Sequence, residues 1–533
     1  MSASQPDMAK LISAHRGRLD LPGVLSVRPG YQISGGWLTG RPAIVATVER
    51  KTSSPPGGLL PASLDGVPVD VREASPRKRQ ALLQPDAHPA SAGLDPASGA
   101  LPVFAAEQTP AGTAVPAPRA AAVIQAAAAK PELTYSGPPG VSLREISGHA
   151  IIQACASPDA GWPVLKDFLA GVTQSLTIGL YDFTSAHILG WVSQQLPGKT
   201  VQLVLDHPAR NPTADQTDEQ TVTALQAALG QDLTQAWALD RMDPLAQAWI
   251  FPTAYHIKVA VADHSRIWLS SGNWNNSNQP DIDPVSTPSD ADAARSGDRD
   301  WHVVIDQPQL AAVFEAYLSN DFTVAAAHDL ASPAAAAPQL AAQAALAPAT
   351  IVPQAQTPPF AEFYPPLTVT GSMRIIPLLT PDHGSYARHI KALISAAKTS
   401  LYLQFQYIEL PKTASANSAA FAALVSAVIA RQEAGVDVKI IMSEYETAGY
   451  LEQLQAAGLD VVSNVKIQNN VHNKGIIVDS ATVLVSSQNW STAGTLFNRD
   501  AGVIIHSPKL ASYFQAIFLH DWASLAHQQA ASD

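Results

Sequence analysis

The sequence predicts an α/β protein made of a duplicated unit of mixed, mostly parallel sheets flanked by helices, preceded by a small α+β module. Three observations lead there. Hydrophobic residues make up 46% of the 533 and charged residues only 15%, the composition of a chain with sizeable buried cores. At roughly 150 residues per domain, the length allows three or four domains. Two long regions share one order of helix-like and strand-like segments and close on the same pattern of polar residues.

The elements can be justified in chain order. Residues 1–71 form the small module: MAKLISAHRGRL has helical periodicity, while VLSVRPG, AIVATVER and GVPVDVRE alternate in the manner of strands. No group of reactive side chains marks a role for it. Residues 72–144 and 324–367 are rich in Ala and Pro, show no sustained period and read as linkers. The repeats occupy 145–323 and 368–533. SPDAGWPVLKDFLAGVTQSLTIGLYDF at 157–183 matches TPDHGSYARHIKALISAAKTSLYLQFQY at 380–407: a Ser/Thr-Pro-Asp start, an amphipathic helix, then a strand. A second helix and strand follow, ending in VQLVLD and VKIIMSE. Strands alternating with helices indicate α/β units.

Composition also excludes. A net charge of −12 argues against a broad basic footprint for nucleic acid or an anionic membrane. The single cysteine, Cys155, rules out an intramolecular disulfide framework and a thiol-rich metal site. No uncharged apolar run of 18 residues is present, so no transmembrane segment is expected. The first residues lack a basic stretch followed by an apolar one, so the default expectation is a cytoplasmic protein. Export by a route without such a leader stays open.

Each repeat ends in a constellation that carries chemistry. In HIKVAVADHSRIWLSSGNW, His256, Lys258 and Asp263 precede Ser270, Ser271 and Asn273; in HNKGIIVDSATVLVSSQNW, His472, Lys474 and Asp479 precede Ser486, Ser487 and Asn489. Every interval agrees. His and Lys two apart on a strand share one face, and pairing of the two strands as a hairpin would bring Ser and Asn beside them. Such a face suits a phosphodiester. Lys supplies a compact charge, Ser and Asn supply neutral donors, and His can attack phosphorus or move a proton near neutral pH. With two faces, one histidine can attack while the other protonates the leaving oxygen. A third shared element, DRDWHVVI and NRDAGVII, holds Asp300 and Asp500, carboxylates able to accept from His Nδ1 and fix the ring.

Two HxKxxxxD motifs, each followed by SSxN and a later Asp, resemble the phospholipase D superfamily, over roughly residues 145–323 and 368–525. The resemblance implies two α/β repeats packed about a pseudo-two-fold axis, one shared active site, a phosphohistidine intermediate, and no metal or other cofactor. It implies His256 as nucleophile and His472 as general acid. Lys258, Lys474, Asn273 and Asn489 would bind phosphate oxygens, with Ser271 and Ser487 as second-line donors. Asp300 and Asp500 would orient His256 and His472, and Asp263 and Asp479 would support the hairpins. Ser270 and Ser486 depart from the Gly common in the family.

Other residues have weaker readings. Trp274 and Trp490, each following the motif Asn, belong either at the pocket rim or in the core. His264, His302, His506 and His520 have no partner in the other repeat and are read as non-catalytic. Between Asn273 and Asp300 the first repeat carries an acidic segment, about Ser277 to Gly297, that the second lacks. At the pocket mouth it would repel a polyanion and tolerate a cationic or zwitterionic head group. A phospholipid substrate, with transient contact with a membrane surface, is therefore the first expectation. A superfamily nuclease is the second, since TIGLYDFTS resembles that branch, and a non-catalytic phosphate-binding scaffold is the third. The cardiolipin synthase branch fits less well without a membrane-spanning segment.

Overall fold

The computed structural model describes residues 8–34, 37–48, 60–73, 135–206, 215–238, 254–328, 362–382, 384–411, 416–443 and 447–528. Residues 74–134 and 329–361, the greater part of the two Ala/Pro-rich stretches, lie outside the described residues.

The N-terminal unit carries helices Met8–Ala14 and Arg16–Leu19 and four strands, β1 (Val24–Ser34), β2 (Trp37–Val48), β3 (Ser63–Leu64) and β4 (Val67–Glu73). They form one sheet in the order β1-β2-β4-β3. Ile12, Leu19, Val27, Ile44, Ala46, Leu64, Val67 and Val69 make its core.

The rest is organised by one sheet of 15 strands. The first repeat contributes β5 (Ile146–Ser157), β6 (Ser175–Leu180), β7 (Thr200–Leu205), β8 (Leu233–Trp237), β9 (Lys258–Ala262), β10 (Arg266–Ser270) and β11 (Asp300–Asp306). The second contributes β12 (Leu367–Thr380), β13 (Ser400–Phe405), β14 (Asp437–Ser443), β15 (Val465–Gln468), β16 (Lys474–Val478), β17 (Thr482–Ser486), β18 (Asp500–His506) and a terminal β19 (His527–Gln528). The order is β19-β15-β14-β13-β16-β17-β18-β12-β5-β11-β10-β9-β6-β7-β8. Apart from β19, it is a palindrome about the antiparallel pair β5–β12. Within that pair Ile375 lies opposite Ile146 and Val369 opposite Ile152, the register expected when like strands meet across a two-fold axis.

The α/β class holds, and one detail is corrected. The sheet is mixed but not mostly parallel: only β6–β7, β7–β8, β13–β14 and β14–β15 are parallel. The helix-connected strands are parallel because a crossover returns the chain in the same sense. The motif strands do not use such crossovers: β9–β10 and β16–β17 join by tight turns, longer loops lead on to β11 and β18, and β9–β10–β11 and β16–β17–β18 run antiparallel.

Helices cover both faces. Phe168, Leu169, Ile188 and Val192, from helices Gly161–Ala170 and Ala186–Gln195, join Trp268 and Trp274 in one first-repeat core. Helix Ser385–Ser395 buries Tyr386, Ile390 and Ile394 in the matching second-repeat core. A third cluster joins the repeats, and in it helices Pro308–His328 and Pro508–His520 place Phe314 and Phe514 against strands of the shared sheet.

Candidate active site

Both motif hairpins form as their spacing predicts. In the first, β9 pairs with β10 through a turn in which Asp263 and His264 have φ of 51° and 58°. In the second, β16 pairs with β17 and Asp479 and Ser480 have φ of 52° and 51°. Positive φ at both central residues matches the twist of paired strands, and Asp tolerates it. Each acid also caps the strand beside it. Asp263 accepts from the backbone N–H groups of Thr173, Gln174 and Ser175, and Asp479 from those of Lys398, Thr399 and Ser400. These bonds hold both carboxyls below their ordinary pKa against a raising effect of burial.

The two motifs meet in one buried place, and they meet crosswise. His256 Nδ1 lies 2.9 Å from Asp500 Oδ1, and His472 Nδ1 lies 3.1 Å from Asp300 Oδ1. Each histidine is therefore held by the acid of the other repeat. Neither residue is more than 4% exposed. Lys258 Nζ donates to the His256 carbonyl, and Lys474 Nζ to the His472 carbonyl and to Ser271 O at 3.4 Å.

Burial, reinforced by Lys258, lowers the pKa of His256 to about 4 despite Asp500. Burial, reinforced by Lys474, lowers that of His472 to about 3 despite Asp300. Burial would raise Asp300, but His472, its hydrogen bond and Lys474 keep it well below the usual carboxylate range. Both rings are thus neutral at pH 7, with Nδ1–H facing a carboxylate; Nε2 of His256 is left as a base, while Lys474 Nζ lies 3.1 Å from Nε2 of His472.

Asn273 and Asn489 are 1% and 4% exposed, and the side-chain Oδ1 of each has no hydrogen-bond partner among the described residues. Polar atoms so buried are almost always bonded, so an orphaned acceptor from each repeat, in the loop beyond each hairpin, marks a place for a polar ligand with a donor to offer, unless the amide is turned the other way.

One expectation is corrected, and one alternative is settled. Ser271 Oγ donates to Asp300 at 2.6 Å and accepts from the Trp301 N–H; Ser487 Oγ donates to Asp500 at 2.5 Å and accepts from the Ala501 N–H. A hydroxyl has one proton, and here it goes to the acid, so these serines hold the carboxylates rather than offer a donor to phosphate. Trp274 and Trp490 are fully buried, Trp274 against Phe183 and Trp268 and Trp490 against Phe405 and Phe421; they are core, not rim. Ser270 Oγ bonds Gly272 N–H and the ring of His302, which also reaches Ser157. His264 bonds Glu315 and His506 bonds Thr482, away from the paired histidines.

The acidic segment leaves Asn278 and Gln279 buried and carries Asp281 and Asp292 on its exposed part. Its Arg295 carbonyl accepts from Asn470 Nδ2 at 3.1 Å, so it lies against the loop that leads into His472.

The sequence also holds positioning residues that motif reading passed over. Arg299 and Arg499 immediately precede the orienting acids. Arg299 forms a fork on Asp521 (2.9 and 3.0 Å) and reaches Asp159 at 2.7 Å. Arg499 forms the same fork on Asp321 (2.6 and 2.8 Å) and reaches Tyr135. Both forks cross between the repeats. Their backbones do too, since His472 N–H donates to Arg299 O and Arg499 N–H to Ala254 O. The signal was present: Arg and Asp recur at equal spacing in DRDW…SNDF and NRDA…LHDW.

The chain is a duplicated α/β protein whose two His/Lys hairpins meet in one buried site. Comparison with known proteins finds the following similarities. Residues 390–522 match the family profile described as "Cardiolipin synthase, PLD-like domain". A phospholipase D of Rickettsia conorii is 31% identical over 140 residues, which are 26% of this chain and 64% of that protein's own length. Among solved structures, similarity extends to Nuc of Salmonella typhimurium, a phospholipase D family member (25% identity, TM-score 0.24, 30% of this chain and 98% of that one). It extends also to a phosphatidylserine synthase of Haemophilus influenzae (13% identity, TM-score 0.44, 70% and 86%). The second repeat thus carries a phospholipase D-like domain, and the chain spans less than two thirds of the length of the curated relative it matches.

Proposed function

We propose that the protein is a phospholipase D-type phosphodiesterase that transfers the phosphatidyl group of a phospholipid to water or to an alcohol. The observation that carries the reading is the crossed pair His256–Asp500 and His472–Asp300, buried where the two motif hairpins meet. In this reading Nε2 of His256 attacks phosphorus, forming an N–P bond as the bond to the head-group oxygen breaks. The proton of the leaving oxygen comes from Nε2 of His472. Water or an alcohol then attacks the phosphohistidine, and His472 takes its proton. Lys258, Lys474 and the amides of Asn273 and Asn489 hold the phosphate oxygens, which the scheme neutralises without a metal.

Both histidines are neutral in the free site, so His472 gains its proton as the anionic diester enters between the rings. The −12 net charge and the exposed Asp281 and Asp292 favour a choline or ethanolamine head group over a polyanion. Among the described residues no helix is long and apolar enough to cross a membrane, so lipid is met at a surface. The test is head-group release from a panel of phospholipids run beside single- and double-stranded DNA. Release of choline or ethanolamine, abolished in His256→Asn, is expected. Cleavage of DNA with no lipid turnover would replace this reading with the nuclease one.

A further inference from the structure

The two His–Asp pairs are alike in outline and unequal in their surroundings. Asp500 receives two donors on Oδ1, Ser487 and His256, while its buried Oδ2 has no hydrogen-bond partner among the described residues. Asp300 receives the matching two on Oδ1, and a third donor, Asn278 Nδ2, lies 2.9 Å from its Oδ2. Asn278 is 1% exposed and anchored on every side: Nδ2 also meets Asp298 at 2.8 Å, Oδ1 accepts from the Asn273 N–H at 2.9 Å, and its own N–H donates to Asn275 Oδ1 at 2.9 Å.

The second repeat makes the same turn without the donor. There Ser491 takes the place of Asn275, and its Oγ accepts from the N–H three residues on, which belongs to Gly494. Gly494 follows Asn489 by the five residues that separate Asn278 from Asn273. A Cβ at Gly494 would sit 2.2 Å from the Asn489 carbonyl oxygen, so that position cannot bear an Asn. The inequality is therefore built into the fold.

A carboxylate satisfied by one more hydrogen bond is a weaker base. It pulls less on the imidazole it holds, and that imidazole gives up its proton more readily. The His472–Asp300 contact is the longer of the two, 3.1 against 2.9 Å, in the sense this requires. We propose that Asn278 is a positioning residue that acts through Asp300 on His472, making His472 the acidic partner and leaving His256, held by the under-donated Asp500, as the nucleophile. The inference rests on the phosphodiesterase reading and deepens it.

The test compares leaving groups. An alkoxide must be protonated as it departs, whereas p-nitrophenolate leaves without help. Two substrate pairs are used, phosphatidylcholine with phosphatidyl-p-nitrophenol, and an alkyl with a p-nitrophenyl ester of thymidine monophosphate. Which pair the wild type cleaves tests the lipid reading; the ratio within that pair in Asn278→Ala tests this one. The expected result is a fall in kcat of roughly 10- to 100-fold for the alkyl leaving group, part of what general acid catalysis contributes. KM stays near wild type, and the p-nitrophenyl ester changes by less than about threefold. Asn278→Asp keeps the acceptor for Asn273 N–H and loses the donor, so it should reproduce the selective loss if Ala disturbs folding. Equal losses on both leaving groups in a folded variant, or no loss on either, would overturn the proposal.

Discussion

The carboxylate nearest His256 belongs to the other half of the chain: Asp500 Oδ1 stands 2.9 Å from His256 Nδ1, although 244 residues separate them. Neither repeat can therefore orient its own histidine, and separating the functions of the two acids becomes possible. Asp500→Ala should slow attack on phosphorus, lowering kcat on the order of 10³-fold for alkyl and p-nitrophenyl esters alike, while Asp300→Ala should spare the p-nitrophenyl ester. Single-turnover kinetics on both esters checks this. An exchange of the two phenotypes would mean that each acid serves the histidine of its own repeat.

The Arg499–Asp321 fork is fully buried, and Asp321 is pushed up by burial against the pull of Arg499. Arg499→Met would leave that carboxylate without its cation. The expected loss is about 3–5 kcal/mol, toward the lower figure because Tyr135 and Tyr255 still donate to Asp321. Replacing both residues with apolar ones should recover much of the loss. Denaturant unfolding of the single and double variants measures it.

His256, His472 and His302 are buried and neutral, with pKa values lowered from 6.5 to about 4, 3 and 4, in each case chiefly by burial. The unfolded chain protonates each near 6.5 while the folded chain resists. Their contribution to stability is thus complete above about pH 6.5 and is lost as pH falls toward 3–4. Near pH 5, His302→Gln should reduce the proton uptake on unfolding by about one, read from the pH dependence of unfolding free energy. An unchanged slope would show that His302 titrates alike in both states.

The hairpin acids are predicted to matter for folding only. Asp263→Ala removes the acceptor for three backbone N–H groups at an exposed turn, an effect comparable with loss of a helix cap, about 0.5–2 kcal/mol. Turnover per folded molecule should stay near wild type. A loss of kcat without a loss of stability would place Asp263 in the site.

Much of this was legible because duplication prints the same residues twice. The hairpins that carry the motif histidines and lysines form where the spacing sent them. What could not be read were relations across the repeats. Sequence spacing speaks of one strand or one hairpin, whereas the His–Asp pairs and the Arg forks form only when β5 and β12 join the halves. Local cues also left choices open. Trp274 beside the motif Asn could sit at the rim or in the core, and the chain turns its ring back against Phe183 and Trp268. The serines carry the donors a phosphate needs, but a buried carboxylate lies nearer. The helix–strand alternation suggested a mostly parallel sheet, and the antiparallel pairing of the motif strands with each other and with β5, β6, β12 and β13 reversed the balance.

Whether the two imidazoles act on one phosphorus atom is decided by trapping. In His472→Asn, rapid mixing with a phosphatidyl-p-nitrophenol labelled at phosphorus, followed by alkaline quench and peptide mapping, should show an acid-labile, base-stable label on His256 with release of one equivalent of p-nitrophenol. Continued turnover with the label absent from His256 would contradict it.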